Sequence, residues 1–144
     1  MNDLPTRLVL GFSVAMTNYQ GAVAWITERG LARDRAYAVE AANTHVLALG
    51  RHDPSFGDAM RKFDLICPDG MPLIWTVNAQ LPEEEKLTDR VYGPNLMLHV
   101  LKATEGALGQ SHFFLGGQQS TLDKLSKRFE ANEIAGIYSP PFGD

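Results

Sequence analysis

The sequence predicts an α/β fold with a mostly parallel sheet and helices on both faces of that sheet. Two observations carry this prediction. Short apolar runs, typical of buried strands, alternate along the 144 residues with longer segments whose apolar residues recur at helical spacing. Glycine and proline mark most boundaries between these segments. We therefore expect one sheet of five strands joined by right-handed crossovers, near residues 8–12, 36–42, 64–67, 111–115 and 134–138.

The first part of the chain supplies two strands and three helices. Residues 8–12 are an apolar run bounded by glycine and serine, which predicts the first strand. Residues 18–29 carry apolar side chains at i, i+3 and i+4, the spacing of an amphipathic helix. The second strand, 36–42, is rich in alanine, a poor strand former. Two short helices are expected to follow it, over residues 46–49 and 53–62.

The segment Phe63–Trp75 is the centre of the predicted fold. Residues 65–67 form a short apolar strand, and a Pro-Asp-Gly turn leads from it into a helix. Open α/β sheets bind ligands at the carboxyl ends of their strands, which is where Asp69 and Gly70 lie. Two interpretations of Asp69 stay open. Its carboxylate caps the following helix, or it takes part in a binding or catalytic site.

The second part of the chain continues the alternation. A charged surface loop at residues 82–86 leads to a helix that a Gly-Pro pair opens at 93–94. Another helix is predicted over 120–131, with Ser120 as its N-cap, between the last two strands. Together these elements predict a single Rossmann-like domain over residues 1–144.

The composition excludes several classes of function. A hydrophobic share of 44% and a charged share of 21% are typical of a globular protein. The net charge of −4 argues against a nucleic-acid partner, because basic side chains that neutralise the phosphates would have to hold it. A single cysteine, Cys67, cannot form an internal disulfide and fits a reducing compartment. The sequence has neither a signal peptide nor an apolar run of the roughly 20 residues that span a membrane, so we expect a cytoplasmic protein.

Several motifs, taken together, resemble one enzyme family. The run Asp64–Trp75 (DLICPDGMPLIW) is similar to the signature of the WecG/TagA/CpsF glycosyltransferases. Four further blocks resemble the family in its own order: Asn43–His45, Arg90–Met97, Phe114–Gly117 and Pro140–Gly143. The last block resembles the middle of the family's domain, and a later Pro-x-Gln-Glu-type motif does not appear in this sequence. The resemblance therefore implies a member that is truncated at its carboxyl end.

The resemblance also implies a reaction. Members of the WecG/TagA/CpsF family transfer a hexosyl group, commonly N-acetylmannosamine, from a UDP-sugar donor to a polyprenyl-diphosphate-linked sugar. The transfer inverts the anomeric centre and uses no metal or other cofactor. This reaction belongs to the synthesis of cell-surface polysaccharides at the inner face of the plasma membrane. Peripheral membrane contact and a homo-oligomer that completes the site in trans are compatible with it. The alternative from another class is a non-catalytic nucleotide-sugar-binding protein or an inactive fragment of such an enzyme.

By the same resemblance, Asp69 is the general base that takes the proton of the acceptor hydroxyl. Asn43 would contact a sugar hydroxyl, although capping of a helix is an equally good interpretation. His45 would donate to a phosphate, and its alternative is a purely structural role. Some relatives carry threonine at the position of Ala41, so that hydroxyl is absent here.

The remaining candidates are expected to hold the donor. Arg90 suits a bidentate contact with a diphosphate, with an ordinary surface arginine as its alternative. Asn95 stands where many relatives carry aspartate. Glycines that permit close approach of a ligand complete the set: Gly70, Gly93, Gly116 and Gly117. We expect Asn43, Asp69 and Gly116 to surround one crevice at the carboxyl ends of the strands. The sequence contains no Asp-x-Asp motif and no zinc-binding pattern, so no metal site is predicted.

Overall fold

The computed structural model describes residues 3–141, and its architecture is mixed α/β. The elements follow in this order: β1 (Thr6–Val9), β2 (Phe12–Ala15), α1 (Tyr19–Ala32), β3 (Val39–Ala42), α2 (Thr44–His52), α3 (Pro54–Met60), β4 (Leu65–Pro68), α4 (Met71–Asn78), a short 3₁₀ turn (Glu83–Glu85), α5 (Gly93–Ala103), β5 (Ser111–Leu115), α6 (Gln119–Arg128) and β6 (Glu133–Tyr138). The predicted α/β class is confirmed. Phe142 and Gly143, which end the last family-like block, lie outside the described residues.

The chain divides into two compact units, with the boundary inside α5 between His99 and Val100. In the first unit, β1 and β2 are antiparallel, whereas β3 and β4 are parallel. In the second unit, β5 and β6 are parallel. The parallel pairing that we predicted is therefore present in both units. Within the described residues the backbone hydrogen bonds form these three two-stranded ladders instead of the single five-stranded ladder that we expected.

The first strand predicted from the sequence, 8–12, is wrong. The chain turns in the middle of this apolar run, at Leu10 and Gly11, where φ is 51° and 89°. Val9 faces Phe12 across the resulting hairpin. Positive φ at both central residues is the conformation of a type I′ hairpin turn, which matches the twist of the flanking strands. The turn was not predicted because its first position is a leucine, and leucine seldom adopts positive φ.

The core of the first unit brings these elements together. Its buried apolar side chains come from the hairpin, β3, α2, α3, β4 and α4, and from the segment after α4: Val9, Phe12, Val14, Ala42, Leu47, Met60, Ile66, Leu73, Val77 and Leu81. Gly50 of α2 packs against the Phe12 ring so closely that a Cβ at this position would lie 2.6 Å from it. Burial of each of the larger side chains stabilises the fold by about 1.5–3 kcal/mol.

The second unit places α6 between its two strands in the chain. Phe114 and Leu122 are buried there. The helix begins one residue before Ser120, and its N-cap is Gln118, whose side chain makes no capping hydrogen bond, so the predicted Ser120 cap is wrong. A buried side-chain hydrogen bond links α5 to the segment before β6 in this unit: the side-chain amide of Asn132 donates to the carbonyl of Leu101 over 2.8 Å.

Candidate functional site

Parallel pairing brings the ends of β3 and β4 to the same edge of their sheet. Ala42 pairs with Pro68, and the N–H of Asp69 donates to the carbonyl of Ala42 over 2.9 Å. The next residue of each strand is therefore Asn43 on one side and Asp69 on the other. The two polar residues that we expected at the carboxyl ends of strands therefore follow paired strands and lie next to each other.

Asp69 does not cap the helix that follows it. The N-cap of α4 is Gly70, with φ at 119° and no side-chain hydrogen bond, so the capping interpretation of Asp69 is wrong. The carboxylate turns instead to a loop more than twenty residues further along the chain. Its Oδ2 accepts a long hydrogen bond of 3.4 Å from the N–H of Gly93, and its Oδ1 lies 4.0 Å from Nη1 of Arg90. The side chain is 16% exposed, so it is sheltered but within reach of a ligand.

Residues 90–93 form the wall of the site opposite Asp69, and hydrogen bonds from two backbone N–H groups hold this loop. The N–H of Val91, which is fully buried, donates to the carbonyl of Pro68 over 2.7 Å. The N–H of Tyr92 donates to the hydroxyl of Tyr19 over 3.0 Å. The guanidinium of Arg90 lies 4.8 Å from the centre of the Tyr92 ring, a cation–π distance. Arg90 is therefore held beside Asp69 although its side chain is 44% exposed.

Glycine at position 93 allows this close approach. A Cβ on Gly93 would lie 3.2 Å from the Cβ of Ala41 at the end of β3, which is tighter than ordinary contact. Glycine therefore brings the backbone N–H of the loop close enough to reach the Asp69 carboxylate. Gly70 is less crowded, since its Cβ would lie 3.8 Å from that of Asn43. The positive φ of Gly70 is the feature that favours glycine there.

Asn43 caps α2. Its side-chain oxygen accepts from the N–H of Val46 over 3.0 Å, which confirms the capping interpretation. The cap uses the amide oxygen and leaves the NH₂ group as a donor. Asn43 and His45 are both exposed, so both are accessible from solvent at this edge. Asn95 is also exposed, in the first turn of α5.

Gly116 and Gly117 follow β5 in the second unit, with φ at 98° and 78°. The N–H of Gly116 donates to the carbonyl of Tyr138 over 2.9 Å, and the Ser139 hydroxyl donates to the carbonyl of Gly117 over 2.7 Å. A Cβ on either glycine would meet open space. Backbone conformation, not crowding, is thus the reason for glycine here. The shared crevice of Gly116 with Asn43 and Asp69 stays a prediction.

Comparison with known protein families decides the class of this chain. The model of the glycosyl transferase WecG/TagA/CpsF family matches residues 7–144. The chain belongs to this family. A search of curated proteins finds no match. The family match begins within β1 and runs to the last residue, and it therefore includes Asn43, Asp69 and the 90–93 loop. The resemblance found in the sequence is confirmed, and the WecG/TagA/CpsF chain is that of a glycosyltransferase.

One residue that contacts the candidate site of this WecG/TagA/CpsF chain was not predicted from the sequence. This residue is Tyr19, the first residue of α1. Its hydroxyl accepts a hydrogen bond from the N–H of Tyr92, which lies 73 positions later in the sequence. Its ring is 4.7 Å from that of His99 in α5. Local patterns carry no sign of such a contact, because it joins segments that are distant in sequence. The only available signal was an aromatic residue directly after the Asn18 cap, which by itself predicts nothing.

Three further findings concern the thiol, metal-binding groups and helix length of the described residues. Cys67 is fully buried, and burial raises the pKa of its thiol to about 12, so the thiol stays protonated and is no nucleophile. Within residues 3–141, no group of three or more His, Cys, Asp or Glu side chains is arranged to hold a metal ion. In the same range, no helix has both the length and the apolar character needed to cross a membrane.

Proposed function

We propose that this chain transfers a hexosyl group with inversion, from a UDP-sugar to a polyprenyl-diphosphate-linked sugar, and that Asp69 is the general base. N-acetylmannosamine is the proposed sugar, and synthesis of a cell-surface polysaccharide at the inner membrane face is the proposed setting. The observation that carries the proposal is the position of the Asp69 carboxylate. It lies at the carboxyl edge of a parallel strand pair, sheltered, and beside an arginine 4.0 Å away.

The chemistry needs a base with a free lone pair. Among residues 3–141, the Asp69 side chain accepts one long hydrogen bond, 3.4 Å from Gly93, and its contact with Arg90 is too long for a hydrogen bond. Its carboxylate oxygens can therefore accept a hydrogen bond from an acceptor hydroxyl without first losing a strong one. As the hydroxyl oxygen bonds to the anomeric carbon, its proton moves to Asp69. The bond from the anomeric carbon to the diphosphate breaks, and its electron pair leaves with the UDP.

Arg90 supplies positive charge at the same edge. In this proposal its guanidinium moves from the Asp69 carboxylate to the departing diphosphate, whose geometry suits a forked contact. Because the side chain is partly exposed and stacked on Tyr92, it can make this short movement while the ring supports it. The NH₂ group of Asn43, one strand away from Asp69, is proposed to donate to a sugar hydroxyl.

The decisive experiment replaces Asp69 by asparagine. The amide keeps the size of the side chain and its ability to accept from Gly93, so folding should be retained. It cannot take a proton, and loss of a general base typically costs about 10²–10⁴-fold in rate. UDP release, binding of the UDP-sugar and thermal melting are measured on the same preparation. Asp123→Asn in α6 is the matched control, because Asp123 is exposed and its Oδ1 accepts a hydrogen bond from the side chain of its helix neighbour Gln119.

Slow transfer with normal folding and donor binding in Asp69→Asn would support the proposal. Unchanged transfer in this variant would contradict the role of Asp69 as base. Donor binding without transfer in the unsubstituted chain would instead favour the alternative, a nucleotide-sugar-binding protein that does not catalyse.

A further inference from the structure

A cleft of about 810 Å³ lies at the opposite end of β4 from the candidate site. Asp64 and the start of β4 form one part of it, and β2, α1 and the segment after α1 contribute further residues. Asp64 precedes Asp69 by five residues, and about 3.3 Å per residue along an extended strand puts some 16 Å between them. Neither Asp69 nor Asn43 lines the cleft. Its volume falls within the range of small-molecule binding sites.

Three arginines and two aromatic residues give this cleft its character. The lining includes Arg29, Arg35 and Arg61 together with Trp25 and Tyr37. The Arg29 guanidinium stacks 3.9 Å over the Trp25 ring, and that of Arg35 stacks 3.9 Å over the Tyr37 ring. Stacking uses the flat face of a guanidinium and leaves its N–H donors in the plane, where they can bind an anion. The rings therefore hold the cations in place before any ligand arrives, which lowers the entropic cost of binding.

Asp64 holds one of these arginines in position. Its Oδ1 accepts from Nη2 of Arg35 over 2.6 Å, and its Oδ2 accepts from the N–H of Ala38 over 2.8 Å. The hydrogen bond from Arg35, followed by that from the Ala38 N–H, keeps the pKa of Asp64 below its usual value. Asp64 is thus committed to contacts within the fold, and it orients Arg35 at the edge of the cleft.

Arg29 differs, because its counter-ion is exposed. The Arg29 side chain is 6% exposed, and its Nη2 donates to Oδ1 of Asp3 over 2.6 Å. The Asp3 side chain is 89% exposed. The other nitrogen, Nη1, is buried without a hydrogen-bond acceptor among the described residues, and the Glu28 carboxylate lies 3.9 Å from it. A buried guanidinium with an unfilled donor and a solvent-exposed partner is suited to exchanging that partner for a ligand anion.

We propose that this cleft binds a phosphate-bearing small molecule, and that the ligand phosphate takes the place of the Asp3 carboxylate on Arg29. A phosphate group offers several acceptor oxygens and more negative charge than a carboxylate, so it can use Nη2 and the unfilled Nη1 of Arg29 together. Arg61 also lines the cleft, and its Nη1 donates to Asp58 over 3.0 Å, another exposed carboxylate that a phosphate could replace. The volume leaves room for an organic group beside the phosphate. This inference does not depend on glycosyl transfer.

Tryptophan fluorescence can report on this cleft alone. The chain has two tryptophans, Trp25 beneath Arg29 and Trp75, which is 64% exposed on α4. In a Trp75→Phe background, Trp25 is the sole tryptophan. This protein is titrated with inorganic phosphate and, separately, with glucose 6-phosphate, at constant ionic strength set with chloride. We expect a saturable change for both probes. Tighter binding of the sugar phosphate would identify an organic phosphate as the ligand, and equal binding would identify the phosphate group alone.

Two substitutions test the exchange. Asp3→Asn removes the competing carboxylate, so phosphate should bind about fivefold more tightly, the effect of losing one exposed ion pair. Arg29→Lys keeps the charge but loses the forked donors, so binding should weaken about tenfold. Asp69→Asn, at the other end of the strand, and Asp123→Asn should leave the titration unchanged. The Asp69 variant separates this cleft from the proposed donor site.

The inference is overturned if Trp25 shows no saturable response, or if Asp3→Asn and Arg29→Lys both bind phosphate as the parent does. Thermal melting checks folding of each variant. If Arg29→Lys does not fold, Arg61→Gln replaces it, since that side chain is half-exposed and its loss should leave folding intact. Weaker binding in Arg61→Gln together with tighter binding in Asp3→Asn supports the cleft. Unchanged binding in Arg61→Gln refutes it.

Discussion

The hydroxyl of Tyr19 is expected to position the 90–93 loop, and Tyr19→Phe tests this. The substitution removes the oxygen that accepts the Tyr92 N–H over 3.0 Å and keeps the ring that packs 4.7 Å from His99. A typical hydrogen bond contributes about 0.5–1.5 kcal/mol to stability. Tyr92 is exposed, so water can replace the lost acceptor, and the lower half of that range applies. We expect a loss of about 0.5–1 kcal/mol and a fall in Tm of about 2–4 °C at most.

The effect on transfer should exceed the effect on stability. Val91 keeps its buried hydrogen bond to Pro68, so the loop stays attached to β4. The next residue loses its tether, and Arg90 then moves more freely beside Asp69. Because misplacement of a catalytic group by 1 Å costs up to about 10²-fold, looser positioning should lower kcat by about 3–10-fold. Donor binding should change less, since the guanidinium itself is retained.

Tyr37→Phe is the matched control for this prediction. It removes the same hydroxyl and one hydrogen bond, 2.9 Å to Asp34, just before the start of β3, whereas Asp69 follows the end of the paired strand β4. UDP release and thermal melting are measured for both variants. If Tyr19→Phe and Tyr37→Phe lose equal stability and both keep the parental kcat, Tyr19 has no positioning role and the reasoning is refuted.

The remaining predictions concern packing, acid stability and the thiol. Gly93→Ala should cost about 1 kcal/mol and slow transfer, because the new methyl would crowd Ala41 at 3.2 Å; unchanged UDP release would contradict this. Asp64→Asn should destabilise the fold at neutral pH. The hydrogen bond from Arg35, the largest cause, lowers the pKa of Asp64 in the folded protein. The contribution of Asp64 to folding stability is therefore fully present above its unfolded pKa of about 3.8, and it is lost as the pH falls through the folded pKa. Urea melts of parent and variant should therefore converge only in acid, and a constant difference would refute the linkage. Cys67, with its thiol pKa raised to about 12, should resist iodoacetamide at pH 8 until the protein is denatured, as mass spectrometry would show.

Local signals predicted most of the elements. The helix expected over residues 18–29 is α1, because its apolar spacing is encoded within a few turns. The structure adds that Asn18 is its N-cap. The strands expected at 111–115 and 134–138 are β5 and β6 for a similar reason. The hairpin at Leu10 was missed, since its turn uses a residue that ordinarily avoids positive φ. Tertiary pairing of β1 with β2 overrode that local preference.

The part of the candidate site that depends on strand topology alone was predictable from the sequence. Asn43 and Asp69 follow neighbouring parallel strands, so their proximity comes from the order of elements that the sequence already indicated. The partners of Asp69 were not predictable in this way. Whether Asp69 caps α4 or faces Arg90 depends on where the 90–93 loop packs. That packing rests on hydrogen bonds to Pro68 and Tyr19 across long stretches of chain.

The sequence by itself determined the α/β class, the parallel strand pairs and the family, because periodicity, turn residues and ordered motifs are local properties of the chain. Only the tertiary structure decided which side chains share an environment. It turned Asp69 toward Gly93 instead of its own helix, and it placed Arg29 over Trp25 with Asp3 as an exposed counter-ion. Such contacts join residues far apart in sequence, and their energies depend on burial and distance that no local pattern contains.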